Sequence, residues 1–136
     1  MIPLQSRLEN REEAYINLSK SLAGYSFGLG GNWDYDRGSF DRHLDEEQKV
    51  WLRIPFIVTH GTFDGDTPES DAVIQLGTPY VLKHLYKQDL DQEANANVVG
   101  ALVNQFQEPE DKDAEIEPHW VEQAEDVLRQ VETGLG

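Results

Sequence analysis

The stretch KVWLRIPFIVTH, residues 49–60, decides the fold because its apolar and polar side chains alternate over almost its whole length. Every second residue from Val50 to Val58 is apolar, whereas lysine, tryptophan, arginine and threonine fill most positions on the other side. A period of two places these two sets on opposite faces of a β-strand. Because proline cannot donate to a ladder, Pro55 predicts a bulge or a sheet edge within this strand.

Shorter strand-like segments lie on both sides of this stretch. They are aromatic or β-branched and are punctuated by glycine and proline, which is typical of strands joined by turns. These segments are residues 25–29, 32–36, 39–44, 72–76 and 97–106. Arg37-Gly38, between the second and the third, predicts a tight hairpin turn.

Three further segments have the apolar spacing of amphipathic helices. The first is predicted to begin at a capping box of Asn10 and Glu13 and to end at Gly24. The second begins at Thr78-Pro79, and the third runs from Pro118 to Thr133. Their buried sides are predicted to be Tyr15, Leu18 and Leu22; then Val81, Leu82, Leu85 and Tyr86; then Trp120, Ala124, Val127, Leu128 and Val131. Helices and strands together predict an α+β fold, a single domain over residues 1–136 in which about three helices pack on a largely antiparallel sheet.

The composition narrows the classes of partner. The chain has 26 acidic and 11 basic residues and a formal net charge of −15, so it should repel nucleic acids and anionic membranes. It has no cysteine, which excludes disulfides, thiolate catalysis and cysteine-ligated zinc. No apolar run could span a bilayer and no secretory signal is recognisable, so we expect a cytoplasmic protein. No motif calls for a cofactor.

The segment GGNWDYDRGSFDRH, residues 30–43, raises the question of a metal site. A turn at Arg37-Gly38 would place Asp34 opposite Asp41, with His43 on the same face, and these are the candidate metal ligands. Trp33, Tyr35 and Phe40 would share the other, buried face. The favoured interpretation is an ordinary hairpin with hydrated carboxylates, because two acids facing water are screened.

The four histidines offer no short metal-binding spacing. His60 continues the inward face of its strand and is interpreted as a hydrogen-bonded core residue. No nucleophile elbow or lysine-activated serine is present, so no catalytic residue is assigned.

Four stretches carry a family resemblance: GGNWDYDRGSFD (30–41), LRIPF (52–56), QLGTPYVLKHLY (75–86) and NQFQEPEDKDA (104–114). In these stretches the chain resembles the YugN-like family, which consists of small uncharacterised bacterial proteins of about this length. The resemblance implies a compact α+β domain in the cytoplasm. It implies no activity, and it assigns a role to no residue.

Three functions remain open. The first is a non-enzymatic binding or assembly module, an acidic adaptor or chaperone-like protein that binds a protein partner or forms a homo-oligomer. Edge strands and the outward aromatic residues Trp51 and Trp120 favour it. The second is an enzyme or small-ligand protein with a pocket between sheet and helices, where Arg53, His60 and Gln75 would converge. The third is a divalent-metal-binding protein.

Overall fold

A computed structural model describes residues 1–66, 70–84 and 115–136 of the protein. In these residues, seven strands form one sheet in which every pairing is antiparallel. Two helices accompany the sheet within the same residues, so the predicted α+β class with an antiparallel sheet is confirmed. The elements are β1 Ile2–Pro3, β2 Glu12–Ala14, α1 Tyr15–Ala23, β3 Gly28–Leu29, β4 Arg37–His43, β5 Val50–His60, β6 Val73–Leu76, β7 Tyr80–Lys83 and α2 Pro118–Leu135.

Strand β5 organises the sheet, as its alternation predicted. It pairs with β4 on one side, and on the other side with β7 in its first half and β6 in its second half. Pro55 lies where β6 gives way to β7, and its carbonyl accepts a hydrogen bond from the N–H of Gly77 at 2.7 Å. The nitrogen of Pro55 faces this same junction, so the N–H that proline lacks removes no hydrogen bond from the pairing of β5 with β4, β6 or β7. The predicted irregularity lies further along, as a bulge between Val58 and His60.

One face of the sheet, here called the inner face, packs against both helices. It carries the predicted row from Val50 to Phe56, together with Phe40 of β4 and Val81 of β7, all buried. The helices contribute Tyr15, Leu18 and Leu22 from α1, and Ala124, Val127, Leu128 and Val131 from α2, to the same core cluster. These are residues that the helical spacing predicted, and their burial is confirmed. The opposite face is called the outer face.

The predicted start of the first helix was wrong. Asn10 has a left-handed backbone, with φ 70°, and its N–H donates to the carbonyl of Leu76. Residues Glu12–Ala14 then form β2 on β6, and α1 begins only at Tyr15 without a side-chain cap. Pairing with a distant strand outweighed the local capping signal, because β6 satisfies the same backbone groups that a helix would have used. Gly24 ends α1 as predicted.

The predicted second helix was also wrong at its beginning. Thr78 and Pro79 connect β6 to β7, and Tyr80–Lys83 pairs with both β5 and β1. Val81 is buried on the inner face, and Leu82, in register with Trp51 on the outer face, is buried as well. A strand with consecutive buried residues has no alternation, so the sequence pattern resembled a helix. Leu85, Tyr86 and the predicted strand 97–106 lie outside the described residues.

The carboxyl-terminal helix is confirmed, and it ends at Leu135 rather than at Thr133. Its last turns are fixed to the amino-terminal segment. Glu132 accepts a hydrogen bond from the Ser6 hydroxyl at 2.6 Å and another from the Arg7 N–H at 3.0 Å. Arg11 donates to the carbonyl of Leu135 at 3.0 Å.

Candidate functional site

The hairpin that raised the metal question turns two residues earlier than predicted. Asp34 pairs with Arg37, so Tyr35 and Asp36 form the turn and Arg37 opens β4. Tyr35 is therefore 66% exposed instead of sharing the buried face. Trp33 does pack against the core, with its ring centroid 5.5 Å from that of Phe63.

The shifted turn separates the three candidate metal ligands. Asp34 accepts a hydrogen bond from the N–H of Tyr35, whereas Asp41 lies opposite Gly28 and Arg53 in the ladders. His43 makes its hydrogen bond to the carbonyl of Asp45 at 2.8 Å. Over residues 1–66, 70–84 and 115–136, no three histidine or acidic side chains come together in a group that could hold a metal ion.

Asp41 instead belongs to a closed polar network on the outer face. Arg53 donates from Nε and Nη2 to its two carboxylate oxygens at 3.0 and 3.1 Å, and the Ser39 hydroxyl donates to it at 2.9 Å. Burial acts to lower the pKa of Arg53, but its hydrogen bonds to Asp41 and the negative charge of that carboxylate outweigh burial and raise that pKa. A Cβ on Gly30 would lie 2.7 Å from an oxygen of Asp41, so backbone covers the network closely. These groups satisfy one another, which suits a structural role.

The residues proposed for an enzyme pocket do not converge. Arg53 is held by Asp41. His60 was predicted to face the core, but the bulge after Val58 shifts the alternation and leaves His60 exposed. Gln75 lines a concave surface, and that surface is on the outer face rather than between sheet and helices.

This concave surface follows a row of side chains that crosses the sheet. Glu12, Gln75, Ile57 and Arg37 stand directly opposite one another in successive ladders of β2, β6, β5 and β4, so their side chains form one row on the outer face. A cavity of about 400 Å³ lies along the row. We call it the outer groove; it is lined among others by Asn10, Arg37, Pro55, Ile57, Gln75 and Gly77.

Ile57 gives the outer groove an apolar floor. Ile57 is 53% exposed, although it lies within β5, the longest strand of the described residues. Its neighbour two residues earlier, Pro55, adds a second apolar surface. An exposed β-branched residue in a concavity offers a partner apolar area to bury. The sequence reasoning missed this site, and the available signal was an isoleucine in the outward register of an otherwise alternating strand.

The aromatic residues proposed as interface anchors are only half-exposed. The Trp51 indole N–H donates to the carbonyl of Gln48 at 2.8 Å, and its ring meets that of His43 edge-on at 5.6 Å. Trp120 packs partly against the core. Both side chains already have partners within the chain, so Ile57 is the better anchor.

Comparison with known proteins places this fold among relatives. The model of the YugN-like family matches residues 3–135. The chain belongs to the YugN-like family. It is 31% identical to the uncharacterized protein YugN of Bacillus subtilis strain 168, over 99% of this chain and 98% of that protein. Its fold is similar to the crystal structure of the uncharacterized conserved protein YugN from Geobacillus kaustophilus HTA426, with a TM-score of 0.70, 23% identity, and coverage of 99% of this chain and 95% of that one. The resemblance inferred from the sequence is therefore confirmed. It supports the fold, but it assigns no functional role to any residue of this chain.

In the described part of the chain, neither α1 nor α2 combines the length and apolar character that crossing a bilayer requires.

Proposed function

We propose that this protein is a non-enzymatic, cytosolic binding module that recognises a protein partner through the outer groove. The observation that carries this proposal is Ile57, exposed on the floor of a concavity on the sheet face opposite to α1 and α2. A solvent-facing apolar residue contributes little to the stability of the folded chain, whereas its burial by a partner contributes to affinity.

Binding is favoured over catalysis by the chemistry of the groove lining. Its polar side chains are those of Arg37, Gln75 and Asn10. Amides do not titrate, and an arginine keeps its proton at neutral pH, so these side chains offer hydrogen bonds and charge but no general base. On the outer face, Asp41 and Arg53 are engaged with each other in an ion pair within the chain.

A site-specific photocrosslinker tests the proposal. Benzoylphenylalanine is placed at Ile57 and, as a control, at Ile16, which is 36% exposed on α1. In cells that naturally make the protein, we expect illumination to join a discrete protein to position 57 and not to position 16. No product at position 57, or the same products at both positions, would contradict the proposal.

The crosslink also distinguishes two kinds of partner. A product of twice the chain mass would make the module a self-assembling one, and light scattering would then show a dimer. Two copies each carrying a net charge of −15 repel each other, so we expect the partner to be a different protein.

A small molecule is the second candidate occupant, because the cavity of about 400 Å³ lies within the usual size of ligand pockets. Native mass spectrometry of the purified protein tests this alternative. A bound mass present in the wild type and absent from Ile57→Asp would support it, and bare protein in both would count against it.

A further inference from the structure

We propose that the outer groove binds a positively charged peptide segment that places an apolar side chain on Ile57 and Pro55. This inference rests on the proposed function, since it names the chemistry of the protein partner. It is carried by the carboxylates beside the groove, by the negative charge of the whole chain and by the exposed apolar side chain of Ile57.

Three carboxylates flank the outer groove on separate sides. Glu12 stands opposite Gln75 at the β2 side of the row. Glu9 accepts a hydrogen bond from the Thr78 hydroxyl at 2.6 Å, directly after the lining residue Gly77. Asp36 precedes Arg37 at the β4 side. A lysine or arginine on either side of an apolar anchor would therefore meet a carboxylate.

Arg37 is the basic residue of the lining, and it moderates this acidic rim. Its Nε lies 3.9 Å from a carboxylate oxygen of Asp36, and both side chains are mostly exposed. An exposed pair at this distance is weak, so the guanidinium remains able to repel a cationic segment. Arg37 is thus expected to limit the affinity for a basic partner, and its removal should strengthen binding.

The charge of the whole chain acts in the same direction. A net charge of −15 on 136 residues attracts cationic segments and repels anionic ones over about a Debye length. The electrostatic field of the chain alone would attract a basic peptide to any part of the surface. The apolar floor at Ile57 is what makes the outer groove the preferred place.

Fluorescence anisotropy with labelled synthetic peptides tests the inference. The probes are an alternating lysine–leucine octapeptide, its glutamate–leucine counterpart and a lysine–serine counterpart, titrated with the full chain at 50 and at 300 mM salt. We expect the lysine–leucine probe to bind more tightly than the other two, and less tightly at the higher salt.

Two matched pairs of variants locate the binding. Arg37→Glu should bind the lysine–leucine probe about threefold more tightly, whereas Arg129→Glu, an equal charge change at an exposed position of α2, should alter the affinity much less. Ile57→Ser should weaken binding about fivefold, whereas Ile16→Ser should leave it unchanged. Circular dichroism of each variant checks that the fold is retained.

Several results would overturn the inference. They are equal binding of the lysine–leucine and glutamate–leucine probes, equal effects of Arg37→Glu and Arg129→Glu, or equal effects of the two isoleucine variants. A crosslink from position 57 to an acidic or uncharged segment of the partner would reject the basic ligand and leave the proposed function intact. The absence of any crosslink would reject the proposed function itself.

Discussion

Replacing Gly38 with alanine should destabilise the protein, because the phenyl ring of Phe56 occupies the space that a Cβ would need. An ideal Cβ on Gly38 would lie 2.6 Å from Cζ of Phe56 and 3.2 Å from each Cε. The two residues are direct partners in the ladder of β4 and β5. Gly38 has no positive φ, so alanine is compatible with its backbone and the steric contact decides the effect.

The ring of Phe56 cannot easily move away. It is 2% exposed, and its centroid lies 5.1 Å from that of Phe40, 5.5 Å from that of Phe63 and 6.0 Å from that of Tyr15. Overpacking a core of this kind costs about 1–3 kcal/mol. Alanine recovers about 0.5–1 kcal/mol of the entropy that glycine loses in a strand. The expected net loss in the free energy of unfolding is therefore up to about 2.5 kcal/mol, because the cost of overpacking exceeds the gain in entropy.

Urea denaturation followed by circular dichroism measures this difference. Gly28→Ala in β3 is the control, since a Cβ at Gly28 has no atom within 4 Å and should raise stability by about 0.5–1 kcal/mol. In a double-mutant cycle, Phe56→Leu should cost less in the Gly38→Ala background than in the wild type. Equal stabilities of Gly38→Ala and Gly28→Ala would refute the contact and the β4–β5 register on which it depends.

Three further predictions concern the polar contacts. Asp41→Ala should lower the free energy of unfolding by about 2 kcal/mol, because it leaves the half-buried Arg53 without its carboxylate partner. A denaturant midpoint near that of the wild type would contradict this prediction. The hydrogen bond from Ser6 is the main cause of the lowered pKa of Glu132. Glu132 therefore stabilises the fold above the ordinary carboxyl pKa, and this stabilisation is lost as the pH falls through the lowered pKa. Denaturation at pH 7 and at successively lower pH should therefore show a smaller acid-induced loss in Glu132→Gln than in the wild type, and parallel profiles would exclude the effect. Asp45→Ala should cost about 1 kcal/mol, because this carboxylate accepts two backbone N–H groups after the turn into β5, and an unchanged melting temperature would count against it.

The sequence was most informative where one local pattern and the tertiary environment agree. Alternation in β5 correctly predicted a strand and its buried side from Val50 to Phe56, because one face of that strand packs on the helices. The spacing of apolar residues likewise predicted the buried stripes of α1 and α2. In these elements the period alone determines which side chains meet the core.

The predictions from sequence failed where the hydrogen-bonding partner of a segment is a strand that lies far away in the sequence. Asn10 resembles a helix cap, but its backbone binds β6, sixty-six residues away in the chain at Leu76. Thr78-Pro79 resembles a helix start, yet β1 and β5 bind the residues that follow. The sequence analysis placed the hairpin turn two residues too late, at Arg37-Gly38. Because the position of the turn sets the hairpin register, this error put Asp34 opposite Asp41 and so suggested a metal site there. The outer groove requires the register of β4, β5 and β6 at once, and no local sequence pattern contains that information.

The most direct test of the outer groove as a recognition surface combines two measurements on Ile57→Thr. The variant keeps a β-branched side chain on β5 but removes most of the apolar floor. With the photocrosslinker moved to Gln75, across the ladder, we expect the free energy of unfolding to stay within about 0.5 kcal/mol of the wild type while the crosslinked partner is lost. An undiminished yield of that partner, or a marked loss of stability, would show that Ile57 serves the fold and that the recognition surface lies elsewhere.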